Sequence, residues 1–142
     1  MQSEFLFNIS LIKHLYDQHM ETVVQAYDIK RKELDILLFL ANNPGYDTAS
    51  DIIHRRGIAK SHVSTSVQHL IEKGLIYTDK LEGDKKKIHL HLFPDADAII
   101  QEGREAQKKF YHVLIKDFTK EEVMTLQKLF KKIEHNMQNA GK

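Results

Sequence analysis

Apolar residues recur every three or four positions along most of this chain, which predicts a mainly helical protein. A long helix is expected over about residues 5–27, and a helix that is apolar on almost every side is expected over 33–41. A third is predicted over 95–118 with Asp95 as its cap, and a fourth begins at the capping sequence Thr119-Lys120-Glu121-Glu122. Because a helix without a polar face lies in the middle of its fold, residues 33–41 should be central.

The stretch from Thr48 to Phe93 predicts two short helices followed by a β-hairpin. Thr48 and Asp51 fit a capping box at the start of the first helix, and Gly57 stands where that helix should end. The second helix is expected over about 60–73. Its apolar stripe follows helical spacing and consists of Val63, Val67, Leu70 and Ile71.

The other side of the helix at 60–73 carries mostly short polar side chains, which suit insertion into the major groove of duplex DNA. The residues expected to contact DNA from this helix are Lys60, Ser61, His62, Ser64, Thr65, Gln68 and His69. An ordinary amphipathic helix with a solvated face has the same pattern, so it is the neighbouring hairpin that favours DNA binding.

The hairpin is expected over about residues 75–93, with alternate apolar residues on its buried face. These residues are Ile88, Leu90 and Leu92. Its tip contains the turn residues Gly83 and Asp84, followed by Lys85, Lys86 and Lys87. Neighbouring lysines repel one another, so they suit a phosphate backbone or a minor groove better than they suit stability. A solvated tip that improves solubility is the alternative.

The formal net charge of +1 is unevenly distributed along the chain. From His54 to Phe93 there are eight Lys or Arg residues and four acids, a net charge of +4, so the rest of the chain carries −3. A basic patch on an acidic body is the expected electrostatic footprint of a DNA-binding protein.

The length of 142 residues and the hydrophobic fraction of 42% indicate one globular domain. Without cysteine, the chain cannot form a disulfide, a thiolate zinc site or a thiol redox sensor. The sequence contains no signal peptide, membrane span, phosphate-binding glycine motif or dinucleotide fingerprint. We therefore expect a cytoplasmic protein that is not an enzyme and needs no metal or other cofactor.

The segments LLFLANNPG, GIAKSHVSTSVQHLIEKGLI and GDKKKIHLHLF, with the long helices on either side, resemble the MarR family of bacterial transcription regulators. The resemblance covers nearly all of the single domain 1–142. It implies a winged helix-turn-helix lobe over 31–94 and a helical dimerisation region formed by 1–30 and 95–142. The family's wing usually carries Asp-x-Arg, and here Lys86 takes the place of the arginine.

The residues themselves also favour a homodimer, since Phe5-Leu6-Phe7 has little to pack against in a monomer. The resemblance implies a regulator, most often a repressor, that binds an inverted repeat in double-stranded DNA. It also implies release by a small aromatic or phenolic effector. The residues expected to line the effector pocket are Tyr16, His19, Phe39 and His112, although each also suits ordinary core packing.

Two other functions fit the same pattern. His89 and His91 share one strand face and have a spacing at which two imidazoles can bind a metal, which would make the protein a metal-responsive regulator. A winged helix can also serve as a protein-interaction module without binding DNA. Metal content after purification without an affinity tag would test the first of these alternatives.

Overall fold

The structure is a computed structural model that describes residues 1–79 and 87–141. The described residues are mostly helical and include one antiparallel pair of strands, which confirms the predicted fold class. In chain order the elements are α1 (Gln2–Tyr27), α2 (Arg31–Asn42), α3 (Ala49–Arg56), α4 (Lys60–Glu72), β1 (Ile76–Asp79), β2 (His89–Leu92), a 3-10 turn (Pro94–Ala96), α5 (Asp97–Leu114) and α6 (Lys120–Asn139).

The chain forms two compact units, Met1–Phe110 and Tyr111–Lys142. The first unit contains α1 to α4, both strands and most of α5, and the second contains the end of α5 and all of α6. Among the described helices, none combines the length and the hydropathy that crossing a lipid bilayer requires.

Helix α2 is the centre of the first unit. Its residues from Glu33 to Leu40 are all buried, and Leu34, Ile36 and Leu37 have no exposed surface. The helix packs against α1, α3, α4 and β2, so side chains on each of its faces meet another element. This burial confirms the central position predicted for the helix at 33–41.

The start and end of α3 follow the local sequence signals. Thr48 Oγ1 accepts a hydrogen bond from the Asp51 N–H at 3.1 Å, and Asp51 Oδ2 accepts one from the Thr48 N–H at 3.2 Å. Gly57 ends the helix in the left-handed conformation, with a φ of 73° that glycine adopts without steric cost. The predicted capping box and C-terminal glycine are therefore confirmed, and α4 begins at Lys60 as expected.

Strands β1 and β2 pair from Ile76 opposite Leu92 to Asp79 opposite His89. Leu90 is buried as predicted, but Ile88 is 50% exposed, so its expected place on the buried face is wrong. Ile88 lies before the first paired residue of β2, and the strand alternation does not extend to it. The segment between Asp79 and Lys87, which contains Gly83, Asp84, Lys85 and Lys86, lies outside the described residues.

The helix after the hairpin differs from its predicted bounds of 95–118. Pro94–Ala96 forms a 3-10 turn, and α5 then runs from Asp97 to Leu114. Asp95 lies inside this turn, and Phe93 occupies the cap position that was expected for Asp95. Pro94 accounts for the difference, because its fixed φ and missing N–H suit the first position of a helical turn.

Helices α1 and α6 both expose large apolar side chains. The most exposed on α1 are Phe5, Leu6 and Phe7, and on α6 they are Met124, Leu129, Phe130 and Met137. Helix α6 begins at the predicted capping box, in which Thr119 Oγ1 accepts a hydrogen bond from the Glu122 N–H at 3.1 Å. Both helices thus carry an apolar face that a single copy of the chain leaves in contact with solvent.

Thr48→Ala should lower the free energy of unfolding by roughly 1–2 kcal/mol, because it removes a buried cap from α3. Urea unfolding followed by circular dichroism measures the change. Ser50→Ala is the matched control, since Ser50 is exposed on the same helix, and its effect should stay below about 0.5 kcal/mol. Equal losses for the two variants would show that the capping box does not hold the start of α3.

Candidate nucleic-acid interface

Helix α4 presents an open polar face because its opposite side is anchored in the core. Val63, Ser66 and Leu70 are buried, and α4 packs against α2. Six of the seven α4 residues expected to contact DNA are exposed, namely Lys60, Ser61, His62, Ser64, Thr65 and Gln68. At about 100° per residue these six positions fall outside the buried stripe of Val63, Ser66 and Leu70.

The seventh residue, His69, lies at the edge of this face and is partly buried. Its Nδ1 is 3.4 Å from Glu33 Oε2, so it sits between the open face and α2. Gln68 Nε2 donates a hydrogen bond to Glu72 Oε1 at 3.2 Å. Glu72 was not among the predicted contacts, yet it adds an acceptor that could receive a hydrogen bond from a cytosine amino group.

Glu33 is a buried carboxylate between α2 and the end of α4. It is 1% exposed, and it accepts hydrogen bonds from Lys73 Nζ at 2.6 Å and from the Lys30 N–H at 3.4 Å. Burial alone would raise the pKa of Glu33, but the hydrogen bonds from Lys73 and Lys30 and the charge of Lys73 outweigh it, and the pKa is lowered. Glu33 was not among the site residues predicted from the sequence, in which it stands as an acid directly before an apolar run.

Arg31 of α2 contacts one carboxylate of α1 and one of its own helix. Its Nη1 donates to Asp17 Oδ1 at 2.7 Å, and its Nε donates to Asp35 Oδ1 at 3.0 Å. Arg56 of α3 lies 3.5 Å from the same Asp35 oxygen. Burial acts to lower the pKa of Arg31, but the hydrogen bonds and charges of the two aspartates raise it above its ordinary value. Asp35 therefore links three helices through two guanidinium groups.

The start of β2 contacts the loop before α3. His89 Nδ1 lies 2.6 Å from Asp47 Oδ1, and the Leu90 N–H donates to the Asp47 carbonyl oxygen at 2.7 Å. Thr48, the cap of α3, also forms a β-bridge with His89. The position of β2 is therefore coupled to the start of α3.

The outer surface of the hairpin carries an aromatic cluster and one described lysine of the tip. Tyr77 stacks on His91 with ring centroids 5.1 Å apart, and it packs on Phe93 at 4.6 Å. Lys87 is exposed, whereas Lys85 and Lys86 lie outside the described residues. Of the three tip lysines, the structure therefore describes only Lys87, which precedes β2.

The two hairpin histidines face carboxylates from different elements. His89 meets Asp47 of the loop before α3, while His91 Nε2 lies 3.8 Å from Asp79 Oδ2 of β1. Within residues 1–79 and 87–141, no three His, Cys, Asp or Glu side chains are grouped as they would be around a metal ion.

Of the four residues expected to line an effector pocket, three belong to the first unit, where they line two cavities. Tyr16 and Phe39 line a small cleft of about 140 Å³, and Gln107 Nε2 donates to Tyr16 Oη there at 3.0 Å. His19 lines a separate groove of about 300 Å³ beside α5. His112 is exposed and belongs to the second unit. Within the first unit, the structure brings Tyr16 and Phe39 together in one cavity and places His19 in another.

The chain is similar in sequence to proteins of one family. Residues 27–87 match the model of the MarR family, and this segment contains α2, α3, α4 and β1. The chain is also similar to the HTH-type transcriptional regulator PecS of Dickeya dadantii strain 3937. The two are 23% identical over 133 residues, which cover 92% of this chain and 80% of PecS.

Two solved structures of low sequence identity have the same fold. A MarR family transcriptional regulator from Listeria monocytogenes complexed with 26mer DNA superposes with a TM-score of 0.82 at 19% identity, over 93% of this chain and 87% of that chain. A Staphylococcus aureus MarR in complex with salicylate and kanamycin gives a TM-score of 0.76 at 21% identity, over 99% and 94% of the two chains.

Glu33→Gln should destabilise the protein by an amount that depends on pH. Because the folded pKa of Glu33 is lowered, its ionised form stabilises the native state above the ordinary glutamate pKa, and this contribution is lost as pH falls through the lowered value. The difference in free energy of unfolding between wild type and variant should be constant near neutral pH and shrink below about pH 4.3.

Urea unfolding at a series of pH values measures this difference. Lys73→Gln removes the ammonium that accounts for much of the lowered pKa of Glu33, so the pH dependence contributed by Glu33 should be weaker in that background. A stability difference that does not change with pH would contradict an ionised Glu33 in the folded protein.

Proposed function

We propose that the chain is a winged helix-turn-helix transcriptional regulator of the MarR family and that it acts as a dimeric repressor. In the proposed cycle it binds an inverted-repeat operator in double-stranded DNA in the cytoplasm, and a small aromatic or phenolic effector releases it. The observation that carries the proposal is the open polar face of α4, which lies next to β1 of the hairpin.

Thr65 and Gln68 are the residues that we assign to base contacts. Both are exposed near the middle of α4, where side chains can reach base edges in the major groove. Glutamine can form two hydrogen bonds with adenine, and threonine can contact either a base edge or the thymine methyl group. The complex of the similar Listeria monocytogenes protein with 26mer DNA supports duplex DNA as the partner.

The remaining predicted contacts are assigned to the DNA backbone. On α4 they are Lys60, Ser61, His62, Ser64 and His69, and on the hairpin they are Lys85, Lys86 and Lys87. Lysine ammonium groups neutralise phosphates without regard to the base sequence. The backbone contacts therefore determine the affinity for DNA and the position of the protein on it, whereas Thr65 and Gln68 determine sequence specificity.

A second copy of the chain is proposed to cover the apolar faces of α1 and α6. Phe7 is 62% exposed on α1 and Phe130 is 55% exposed on α6, and neighbouring apolar residues extend both surfaces. Each Å² of apolar surface removed from water contributes about 25 cal/mol, so burial between two copies is favourable. Two-fold symmetry then presents two α4 helices to two half-sites of an inverted repeat.

The effector is proposed to bind at the cleft of the first unit that Tyr16 and Phe39 line, and roles for His19 and His112 stay predictions from the sequence. The salicylate in the Staphylococcus aureus structure supports an aromatic acid as its class. Arg56 also lines the cleft, and its guanidinium suits a carboxylate. A cleft of about 140 Å³ is smaller than typical ligand pockets of about 300–1,000 Å³. In this proposal the effector binds a conformation of the protein in which the cleft is wider, and it shifts the population of protein molecules towards that conformation.

Phe130→Glu should convert a dimer into a monomer, because it places a charge in an apolar interface. Sedimentation at micromolar concentration should show the wild type as a dimer and the variant as a monomer. Operator affinity should fall roughly tenfold or more, since a monomer contacts one half-site. Thr125→Glu adds the same charge at an exposed polar position of α6 and should remain dimeric. A monomeric wild type under these conditions would rule out the proposed assembly.

Selection of bound duplexes from a random pool should enrich an inverted repeat. On that operator, Gln68→Ala or Thr65→Ala should cost about 1–3 kcal/mol of binding free energy and change binding to random DNA little. Lys86→Ala should weaken binding to both duplexes and reduce the slope of log K against log salt by about 0.9 per lost phosphate contact. Fluorescence anisotropy at several salt concentrations measures both effects.

The two kinds of variant serve as controls for each other in this experiment. An unchanged slope of log K against log salt for Lys86→Ala would show that this lysine does not contact DNA. Normal operator binding by Gln68→Ala, Thr65→Ala and Lys86→Ala together would show that α4 and the hairpin tip do not form the DNA-binding surface.

A further inference from the structure

A basic cleft of about 340 Å³ lies between the start of α2 and one flank of α4. The residues that line it are Lys30, Arg31, Lys32, His62, Thr65, Ser66 and His69. The three consecutive basic residues were not among the contacts predicted from the sequence. They come together with α4 only because α2 packs beneath it.

The acids nearest to this cleft are already paired. Arg31 is held by Asp17 and Asp35, and the Glu33 carboxylate is held by Lys73. Lys30 and Lys32 are exposed, and no acid of residues 1–79 or 87–141 forms an ion pair with either. The cleft therefore keeps the positive charge of its two lysines, because the neighbouring carboxylates are neutralised by other residues.

The position of the cleft on α4 determines what it would meet on DNA. An α-helix with its side chains is about 10–12 Å wide, and the major groove is about 12 Å wide. A helix that lies in this groove therefore has a phosphate backbone close to each flank. His62, Thr65 and His69 are three or four residues apart and form one flank, which is the flank beside Lys30 and Lys32.

We propose that Lys30 and Lys32 bind a backbone phosphate of the operator, with His62 as a neighbouring donor. This inference rests on the proposed function and adds the start of α2 to the DNA-binding surface. The Glu33–Lys73 pair contributes because an unpaired carboxylate at this position would repel the phosphate.

A free phosphate or the carboxylate of a small molecule offers the same chemistry as a backbone phosphate. The DNA backbone is favoured because Thr65 lines the cleft and also belongs to the face assigned to base contacts. A strand whose bases reach Thr65 from the groove brings its own phosphate to the neighbouring cleft.

The test is the full-length double variant Lys30→Gln/Lys32→Gln, compared with wild type on the selected operator and on a random duplex. The salt slope should fall by about 0.9 per subunit, because the two lysines together neutralise one phosphate. The fall should be the same on both duplexes, because phosphate contacts carry no sequence information. The variant Lys30→Arg/Lys32→Arg should restore the wild-type slope.

The matched control is Lys108→Gln/Lys109→Gln, which removes the same charge from two exposed positions of α5. The control should keep the wild-type slope. An equal loss in the control would overturn the inference, since the lysines would then act through net charge. An unchanged slope in Lys30→Gln/Lys32→Gln, with normal binding by wild type, would overturn the inference and leave the proposed function standing. Failure of wild type to bind any duplex would overturn both.

Inorganic phosphate separates a free anion from the DNA backbone. Thermal unfolding is compared in phosphate and in chloride at equal ionic strength, for wild type and for Lys30→Gln/Lys32→Gln. Stabilisation of wild type by phosphate that the variant lacks, together with an unchanged DNA salt slope, would assign the cleft to a free anion instead. A reduced slope on both duplexes supports the backbone phosphate.

Discussion

The burial of α2 is the constraint on which the rest of the first unit depends. Helices α1, α3 and α4 and strand β2 all pack on it, and its residues from Glu33 to Leu40 are buried. Complete burial of a leucine or isoleucine side chain contributes about 1.5–3 kcal/mol, so Leu34, Ile36 and Leu37 supply much of the attraction. Apolar attraction is not directional, however, and it cannot by itself fix the angle at which α4 presents its open face.

Ion pairs and hydrogen bonds at the edges of α2 are directional, and they determine the angle at which α4 presents its open face. Lys73 Nζ reaches the buried Glu33 carboxylate at 2.6 Å, and this pair holds the end of α4 against the start of α2. Ion pairs of this kind add little net stability, but removal of one partner leaves a buried charge uncompensated. Rotation of α4 away from Glu33 would have the same consequence. The pair thus favours one orientation of the face that carries Thr65 and Gln68 over alternatives with equal apolar burial.

The features that the sequence predicted correctly depend on residues close together in the chain. The capping box of Thr48 and Asp51 spans three residues, and the exposed face of α4 follows from helical spacing alone. The pairing of Glu33 with Lys73 joins residues forty positions apart, and no local pattern encodes it. For the same reason periodicity placed Tyr16 and His19 on one helix but could not show that they line different cavities.

The strengths of the contacts around Asp35 indicate where an effector can act under the proposed function. Arg31 reaches Asp35 of its own helix at 3.0 Å and Asp17 of α1 at 2.7 Å, so one short ion pair joins α1 to α2. Arg56 of α3 reaches Asp35 at 3.5 Å, its side chain is more exposed than that of Arg31, and exposed ion pairs contribute at most about 1 kcal/mol. A carboxylate in the cleft beside Tyr16 competes most easily for this weaker contact. Because Asp47 next to α3 also contacts the hairpin through His89, release of α3 would disturb this contact while the Glu33–Lys73 pair keeps α4 on α2.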